Sequence, residues 1–423
     1  MLQLQAIREN KDAIIEALEK RNIDAAPMIT KAIKLDEKRR ATQTKMDNTL
    51  AESNKLSKDI GALYKNGKYQ EAEVLKQKTG GLKEASKKLG GELNSTADAL
   101  QNLLYQIPNV PHGSVPAGNS EADNEETFKE GDIPVLDADA LPHWELAKKL
   151  DIIDLELGVK ITGAGFPVYK GKGARLQRAL INYFLDRNTA AGYTEVQVPH
   201  LVNEASGLGT GQLPDKEGQM YYIQDDNLHL IPTGEVPVTN MFRDELLEAD
   251  AFPLRYTSYT PCFRREAGSY GADVRGLNRL HQFDKVEIVR IEHPDRSYAA
   301  LDEMVEHVKI LLRELQLPYR ILRLCGGDLG FTAALTYDFE VFSTAQDRWL
   351  EISSVSNFET YQSNRLKLRY RDKDGKTRLA HTLNGSALAL PRVLAAILEN
   401  YQTADGIRIP EVLIPYCGFD VIS

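Results

Sequence analysis

Residues 260–287 read T-P-C-F-R-R-E-A-G-S-Y-G-A-D-V-R-G-L-N-R-L-H-Q-F-D-K-V-E. The stretch leaves an extended segment, Phe252 to Cys262, in which aromatics alternate with Thr and Ser. It returns on a second strand-like run, H-Q-F-D-K-V-E-I-V-R-I, from His281. Between the two, Gly268, Gly271 and Gly276 mark a loop. A hairpin of that shape sets Arg264 and Glu287 on neighbouring strands, facing one pocket. Arginine offers a planar, permanently charged fork suited to carboxylate and phosphate oxygens. A carboxylate opposite it suits an ammonium group or a hydroxyl. A surface hairpin whose charges pair with each other has the same local pattern, so the rest of the chain has to decide.

The 423 residues are enough for two or three domains, and 42% hydrophobic with 27% charged residues is ordinary globular composition. No apolar run approaches 18 residues, and Met1 to Asn22 is amphipathic and charged, so neither a membrane span nor a secretory signal is expected. Cys262, Cys325 and Cys417 lie far apart, which argues against a disulfide framework or a zinc site and suits a reducing cytoplasm. Net charge is −9, yet residues 1–110 hold 19 basic against 15 acidic side chains, leaving 33 against 46 in the remainder. The basic excess belongs to the N-terminal segment.

That segment carries a 4-3 spacing. From Pro27, suited to a first helical turn, it runs Met28, Ala32, Leu35, Arg39, Thr42, Met46, Thr49, Ser53, Leu56, Ile60, Leu63. After the turn pair Asn66-Gly67 it resumes with Ala72, Leu75, Thr79, Leu82, Ser86, Leu89, Leu93, Thr96, Leu100, Leu103, Ile107. Two such runs predict an antiparallel helical hairpin reaching roughly 55 Å at 1.5 Å per residue. Gly80-Gly81 and Gly90-Gly91 each cost about 1 kcal/mol per glycine in a helix interior, so the arm is expected to be marginal. Dimerisation, scaffolding and nucleic-acid binding all remain open for such a hairpin. Leu2 to Arg21 is expected as a helix at its base.

Residues 111–142, rich in proline, glycine and acidic residues, are expected as a connector, with a second domain from His143. In that domain Leu176 to Asn188 is an amphipathic helix, closed by Gly192 and followed by a strand-like run, Tyr193 to Pro199. Thr233-Gly234-Glu235 sits between a strand-like run and a helix-like one, Val236 to Leu247; it is either an ordinary helix cap or a holder for a small polar ligand. Glu351 and Ser354 follow a strand-like run. Asn384-Gly385-Ser386 reads as a turn into an apolar helix that carries Arg392 and ends near Tyr401.

The F-R-x-E of Phe263 to Glu266, the glycine loop and R-x-H-Q-F-x-K-V-E together resemble motif 2 of the class II aminoacyl-tRNA synthetases, in the seryl form. Leu176 to Pro199 resembles motif 1, which builds a dimer interface in that class, and the Arg392 helix resembles motif 3. No nucleotide signature of other folds competes: there is no H-I-G-H or K-M-S-K-S stretch and no G-x-x-x-x-G-K-[ST]. The resemblance implies an α+β fold, a six- to seven-strand antiparallel sheet flanked by helices, with the N-terminal hairpin as a coiled-coil arm. It implies domains at 1–110 (arm), 111–142 (linker) and 143–423 (catalysis).

What the resemblance implies for chemistry is ATP-dependent activation of serine and its transfer to tRNA(Ser), and also tRNA(Sec), by a cytoplasmic homodimer. Arg264 and Arg392 are the expected catalytic arginines. The serine pocket would comprise Thr233, Gly234, Glu235, Arg264, Glu287, Asn384 and Ser386. ATP would meet Arg264, Arg265, Glu266, Leu280, Phe283, Glu351, Ile352, Ser353, Ser354 and Arg392, with Mg²⁺ on Glu351 and Ser354 and no zinc. The arm, 27–107, would take the tRNA, with Lys55, Lys58, Lys65, Lys68, Lys76 and Lys78 as candidate contacts. Gly234 stands where the seryl form typically has Ala. Two rivals stay open: a related ligase that loads an amino acid onto a carrier protein, which would lack the arm, and a non-catalytic RNA-binding paralogue, which would have broken motifs.

Overall fold

The computed structural model describes residues 1–136, 140–216, 218–266 and 275–423; Gly268 and Gly271 of the quoted loop lie outside the described residues. The chain divides into two units, residues 2–19 with 23–108, and Met1 with 20–22 and 109–423.

The first unit holds four helices, α1 (Leu4–Glu9), α2 (Lys11–Glu19), α3 (Ala26–Lys65) and α4 (Tyr69–Leu104). The single helix expected over 2–21 is broken at Asn10, a residue of low helix propensity that leaves helical geometry at φ −128°. Pro27 lies in the first turn of α3, and Gly67 supplies the left-handed conformation (φ 73°) that joins α3 to α4. Every residue of the 4-3 series from Ala32 to Leu63 and from Ala72 to Ile107 is buried or half-buried. Lys38–Glu92 (3.1 Å) and Lys78–Glu52 (2.9 Å) tie the two helices in antiparallel register. Arg39 sits on the seam because Asp36, fully buried, receives it (2.8 Å) together with Arg8 and Arg40 (both 3.1 Å).

The second unit is built on an eight-stranded sheet. In chain order the strands are β1 (Glu125–Glu130), β2 (Thr194–Glu195), β3 (Leu254–Phe263), β4 (Gln282–Glu292), β5 (Tyr319–Arg323), β6 (Leu335–Ser343), β7 (Arg348–Glu359) and β8 (His381–Ala389). Across the sheet they run β1-β5-β6-β7-β8-β4-β3-β2, antiparallel except for β2 beside β3. The sheet exceeds the expected six or seven strands by its edges. One edge, β1, lies inside the stretch expected as a connector. Its acidic run reads as solvated linker, but Glu125 and Glu126 pair with Arg323 and Arg320 of β5. At the other edge only Thr194–Glu195 of the run 193–199 joins the sheet.

Helices α5 (His143–Lys149), α6 (Gly171–Ala190), α7 (Glu235–Asn240), α8 (Ser297–Glu314), α9 (Thr360–Leu366) and α10 (Leu390–Asn400) complete the scaffold. Leu176, Leu180, Tyr183 and Phe184 of α6, Met304, Val308 and Leu311 of α8, and Val393, Leu394 and Ile397 of α10 share one core with the sheet. The helix expected over 236–247 stops at Asn240, ahead of Asp244 at φ 64°. The Asn384-Gly385-Ser386 turn is not a turn. It is the middle of β8, where an added Cβ on Gly385 would press on Val355 (3.3 Å), Ile288 and Met304 (both 3.4 Å). Glycine is used there for close packing rather than for positive φ.

Candidate active site

Strand pairing brings the distant sequence elements together. Successive side chains on a strand alternate between faces, so Phe283, Lys285 and Glu287 of β4 share one face. Glu287 lies opposite Ser386 of β8 and Ser258 of β3. With Gly385 turned toward α8, Asn384 and Ser386 project on the face of Glu287. Asn384 Nδ2 donates to Glu287 Oε1 (2.9 Å) and to Glu235 Oε2 (3.0 Å), so one amide bridges two carboxylates.

Thr233 closes the cluster. Its hydroxyl accepts from Lys285 Nζ (2.8 Å), and donates to Glu287 Oε2 (2.9 Å). Since an ammonium can only donate, the hydroxyl's own proton must go to Glu287. The same oxygen accepts the Glu235 amide (3.3 Å), although the N-cap of α7 is Gly234 and carries no side-chain cap. Lys285 also contacts Glu287 Oε2 directly (2.5 Å), with both side chains buried. Gln362 of α9 donates to Glu235 Oε1 (2.5 Å). Burial pushes the Glu235 carboxyl up to about 7, the neighbouring Glu287 charge adds to the rise, and Gln362, Lys285 and Arg264 oppose it. Gly234 approaches Thr260, where an added Cβ would stand 3.2 Å from the Thr260 Oγ1. Two carboxylates around one lysine make a hydrogen-bonding cluster that is net negative once Glu235 ionises, which suits a small ammonium-bearing ligand.

Arg264 follows the last residue of β3, so it is not level with Glu287, which pairs with Ser258, but six residues nearer the loop end. Its amide donates to His281 O (2.9 Å), its Nε to Pro232 O (3.3 Å), and its guanidinium stands 5.2 Å from the Phe283 ring centre. Arg265 is exposed. Glu266, at φ 47°, pairs with Arg279, a partner the motif reading leaves out. Leu280 and Ile352 are core side chains, and the buried Ser353 hydroxyl donates to Ser386 O (2.5 Å); any ligand contact at these three is a backbone contact.

Glu351 and Ser354 are three apart on β7, a spacing that puts strand residues on opposite faces. A bulge corrects this: Ser354 pairs with Asp338 and Ser353 with Phe339, but Glu351 pairs with Glu340, so Ile352 is the extra residue. Glu351 and Ser354 therefore face the same way as Asp338 and Glu340. Burial, then the Glu351 charge, pushes the Asp338 carboxyl upward, and its Oδ1 is buried without a hydrogen-bond partner. Arg392, in the first turn of α10, gives Nε to Asn278 O (2.8 Å) and Nη1 to Glu351 O (2.6 Å). The two carbonyls fix the plane of the guanidinium beside the acidic face.

Sequence reasoning missed Lys285, Gln362, Asp338 and Arg279. The alternation Phe283, Lys285, Glu287 carries the signal for Lys285. Nothing local signals Gln362 or Asp338, which arrive through α9 and the β7 bulge. On the arm, Lys78 is bound to Glu52, Lys76 to Glu73 (3.1 Å) and Lys68 to Glu71 (3.0 Å), which sets these three candidates apart from Lys55, Lys58 and Lys65.

An antiparallel sheet with one arginine at a strand end and another heading the helix after β8 defines the class II aminoacyl-tRNA synthetase core. Residues 221–401 match the family described as tRNA synthetase class II core domain (G, H, P, S and T), and residues 1–111 match the seryl-tRNA synthetase N-terminal domain. The serine–tRNA ligase of Salinibacter ruber is 52% identical over 421 residues, spanning 99% of this chain and 98% of its own length. The crystal structure of seryl-tRNA synthetase from Pyrococcus horikoshii complexed with ATP superposes with a TM-score of 0.92 at 33% identity, covering 100% of this chain and 99% of that one. The cytoplasmic serine–tRNA ligase of Naegleria fowleri in complex with AMP gives 0.87 at 27% identity, covering 100% and 99%. The chain belongs to the seryl-tRNA synthetase family.

Proposed function

We propose that this chain condenses L-serine with ATP to seryl-adenylate and passes the seryl group to the 3′-terminal adenosine of tRNA(Ser), and of tRNA(Sec), as a cytoplasmic homodimer. The observation that carries the reading is the pair of buried carboxylates, Glu235 and Glu287, bridged by Asn384 and charge-balanced by Lys285. Glu235 receives the serine ammonium. Glu287, with Ser386 beside it, receives the hydroxyl. An analogue without the hydroxyl, alanine, leaves those polar groups unpaired and is rejected. The carrier-protein and paralogue readings are not favoured, since the arm is present and Arg264, Glu287, Glu351 and Arg392 are all in place.

The attacking serine carboxylate is already ionised at neutral pH, so the first step needs no base. A carboxylate oxygen bonds to the α-phosphorus as the bond to the β-phosphate bridging oxygen breaks, and pyrophosphate leaves. The obstacle is negative charge meeting negative charge. Arg264 neutralises the α-phosphate and orients the carboxylate; Arg392 holds the γ-phosphate. Phe283 would lie against the adenine ring and Glu266 would accept from its amino group. In the second step the terminal ribose hydroxyl attacks the seryl carbonyl, the carbonyl–phosphate C–O bond breaks, and AMP departs while the hydroxyl proton passes to its phosphate, with positioning as the chain's contribution.

The oxygen donors on β7 suit Mg²⁺, which takes few protein ligands and shares the phosphates. The bulge at Ile352 turns Glu351 and Ser354 to one side, and the unpartnered Asp338 Oδ1 faces the same side. Bound there with ATP, the ion would withdraw charge from the triphosphate. The arm, 27–107, takes the tRNA through its lysines, with Lys55, Lys58 and Lys65 foremost, while the chemistry belongs to residues after Asn109.

ATP–pyrophosphate exchange across the amino acids, with and without tRNA, tests the reading. Exchange is expected with serine alone and without tRNA; a preference for another amino acid, or none at all, overturns it.

A further inference from the structure

Helix α10 carries Arg392 and Glu399 seven residues apart, which on an α-helix is one face. Both reach the same short piece of backbone, residues 276–278, where the chain leaves the motif 2 loop. Arg392 does so directly, through Nε to Asn278 O (2.8 Å). Glu399 does so through His143, the first residue of α5. Glu399 Oε1 lies 2.7 Å from His143 Nδ1, and the Leu277 amide donates to His143 Nε2 (2.8 Å). An amide N–H can only donate, so Nε2 is unprotonated and the ring proton sits on Nδ1, given to Glu399. His143 and Glu399 are both 0% exposed, so neither touches a substrate.

The approach is close enough to dictate sequence. Gly276 has φ 61°, and a Cβ there would stand 2.2 Å from His143 Nε2. The carboxylate is itself held by the His143 amide (3.0 Å), the Ser343 hydroxyl and Gln346 Nε2 (3.1 Å), and Gln346 Oε1 accepts from Asn278 Nδ2 (3.0 Å). Burial works against the Glu399 charge, but the His143 and Ser343 hydrogen bonds hold its carboxyl below the usual range. Residues 277 and 278 are thus gripped at three points by Arg392 of α10, His143 of α5 and Gln346 of the turn between β6 and β7.

We propose that His143 is a positioning residue for the ATP end of the site: locked in one tautomer by Glu399, it holds the 276–278 backbone so that the Asn278 carbonyl aims Arg392. This rests on the reading of Arg392 as an ATP ligand given above. Serine binding uses Thr233, Glu235, Arg264, Glu287, Asn384 and Ser386, whose hydrogen bonds go to groups other than His143, Glu399 and residues 276–278, so the effect separates the two substrates.

The test uses two variants of the full chain that each keep one half of the imidazole's hydrogen bonding. His143→Asn keeps a donor toward Glu399 and loses the acceptor for Leu277. His143→Gln places a carbonyl oxygen near the Nε2 position and loses the donor. KM for ATP and for serine are measured in pyrophosphate exchange, ATP affinity by calorimetry, and thermal stability in parallel. His143→Asn is expected to weaken ATP about tenfold, the effect of one hydrogen bond, with serine KM within about twofold; His143→Gln is expected to recover most of that loss. Gly276→Ala, which drives a methyl into Nε2, is expected to weaken ATP as His143→Asn does, and covers the case in which His143→Asn fails to fold. Equal losses for ATP and serine, equal losses in Asn and Gln variants, or unchanged ATP affinity in Gly276→Ala would each overturn the proposal. An intact chain that binds ATP but supports no serine-dependent exchange would instead count against the proposed function.

Discussion

The arm and the active site use charge in opposite ways. Along the arm the charges lie outside: Lys38–Glu92, Lys78–Glu52 and Lys76–Glu73 are exposed pairs, screened by solvent, of the kind that contributes little to stability. Its seam is filled by small or mildly polar residues, Ala32, Thr42, Ser53, Ala72, Thr79 and Thr96. In the site the charges lie inside: Lys285, Glu287 and Glu235 are all buried and joined by Thr233, Asn384 and Gln362 from four separate segments. Removing one member of such a cluster strands the others in a poor solvent, which costs far more than losing a surface pair. The difference teaches where this chain tolerates change. An arm contact is local and replaceable, whereas a site contact is shared. Asp36, buried under three arginines, is the one place in the arm that follows the rule of the site.

The sharpest way to break the contrast is Arg264→Ala. A single charge aimed at a developing transition state supplies roughly 10²- to 10³-fold or more. Serine-dependent pyrophosphate exchange should fall by at least that factor while the melting temperature stays near wild type. Exchange within about tenfold of the intact chain would mean that Arg264 does not face the reacting phosphate.

Cutting out residues 40–95 and joining α3 to α4 by a short turn attacks the other region. The excision keeps Asp36 with Arg8 and Arg39, gives up Arg40, and removes no group of the site. Adenylate formation should stay within a fewfold of normal, while charging of tRNA drops by about two orders of magnitude as phosphate contacts and reach are lost together. In the intact chain tRNA affinity should fall with salt. Equal losses in both half-reactions would show that arm and site are not separable.

How much of this was legible in the sequence follows the same division. The arm's seam residues could be read one by one, because a heptad is a local pattern and each position reports its own burial. The β3–β4 pairing was legible for the same reason: alternation is local. Asn384-Gly385-Ser386 was misread because an Asn-Gly pair signals a turn only where nothing else claims the glycine, and here Val355 and Ile288 do. Glu125 to Glu130 was hidden by its own charge, since an acidic run looks solvated until its arginine partners on β5 are known. Glu351 and Ser354 share a face only through a bulge that no spacing rule announces. Lys285 was within reach of alternation, whereas Gln362 and the His143–Glu399 pair enter through tertiary packing alone.

A smaller effect sharpens the electrostatic half of the comparison. Burial raises the folded-state Glu235 carboxyl from 4.5 to about 7. Below 4.5 the group is protonated in both states. Between 4.5 and about 7 the unfolded chain releases its proton and the folded chain keeps it, so this group's contribution to stability falls as pH rises. Serine binding has the opposite sign, because its ammonium needs the ionised carboxylate. Serine affinity should therefore rise about tenfold from pH 6 to 8, while stability declines over the lower part of that span. In Glu235→Gln both slopes should vanish. A serine affinity that is flat from pH 6 to 8 in the intact chain would place the ammonium elsewhere.

The smallest effect belongs to the arm and asks why it is left weak. Gly80, Gly81 and Gly91 lie inside α4, and a Cβ added to any of them meets nothing within 4 Å. None has a positive φ, so alanine fits the backbone as it stands. Glycine in a helix interior costs about 1 kcal/mol relative to alanine, and here no packing demand explains it. Gly80→Ala, Gly81→Ala and Gly91→Ala should each slow amide exchange along the neighbouring turns of α4 by about fivefold, the factor that 1 kcal/mol represents. Exchange in β4 and β8 should not change, because no arm residue takes part in their hydrogen bonding. If the weakness serves the fit of the arm to a curved RNA surface, the triple variant will be more stable yet have a higher KM for tRNA, with pyrophosphate exchange untouched. If KM for tRNA is unchanged in the stiffened arm, the glycines are tolerated rather than used, and the arm behaves as a spacer whose stiffness does not matter to its partner.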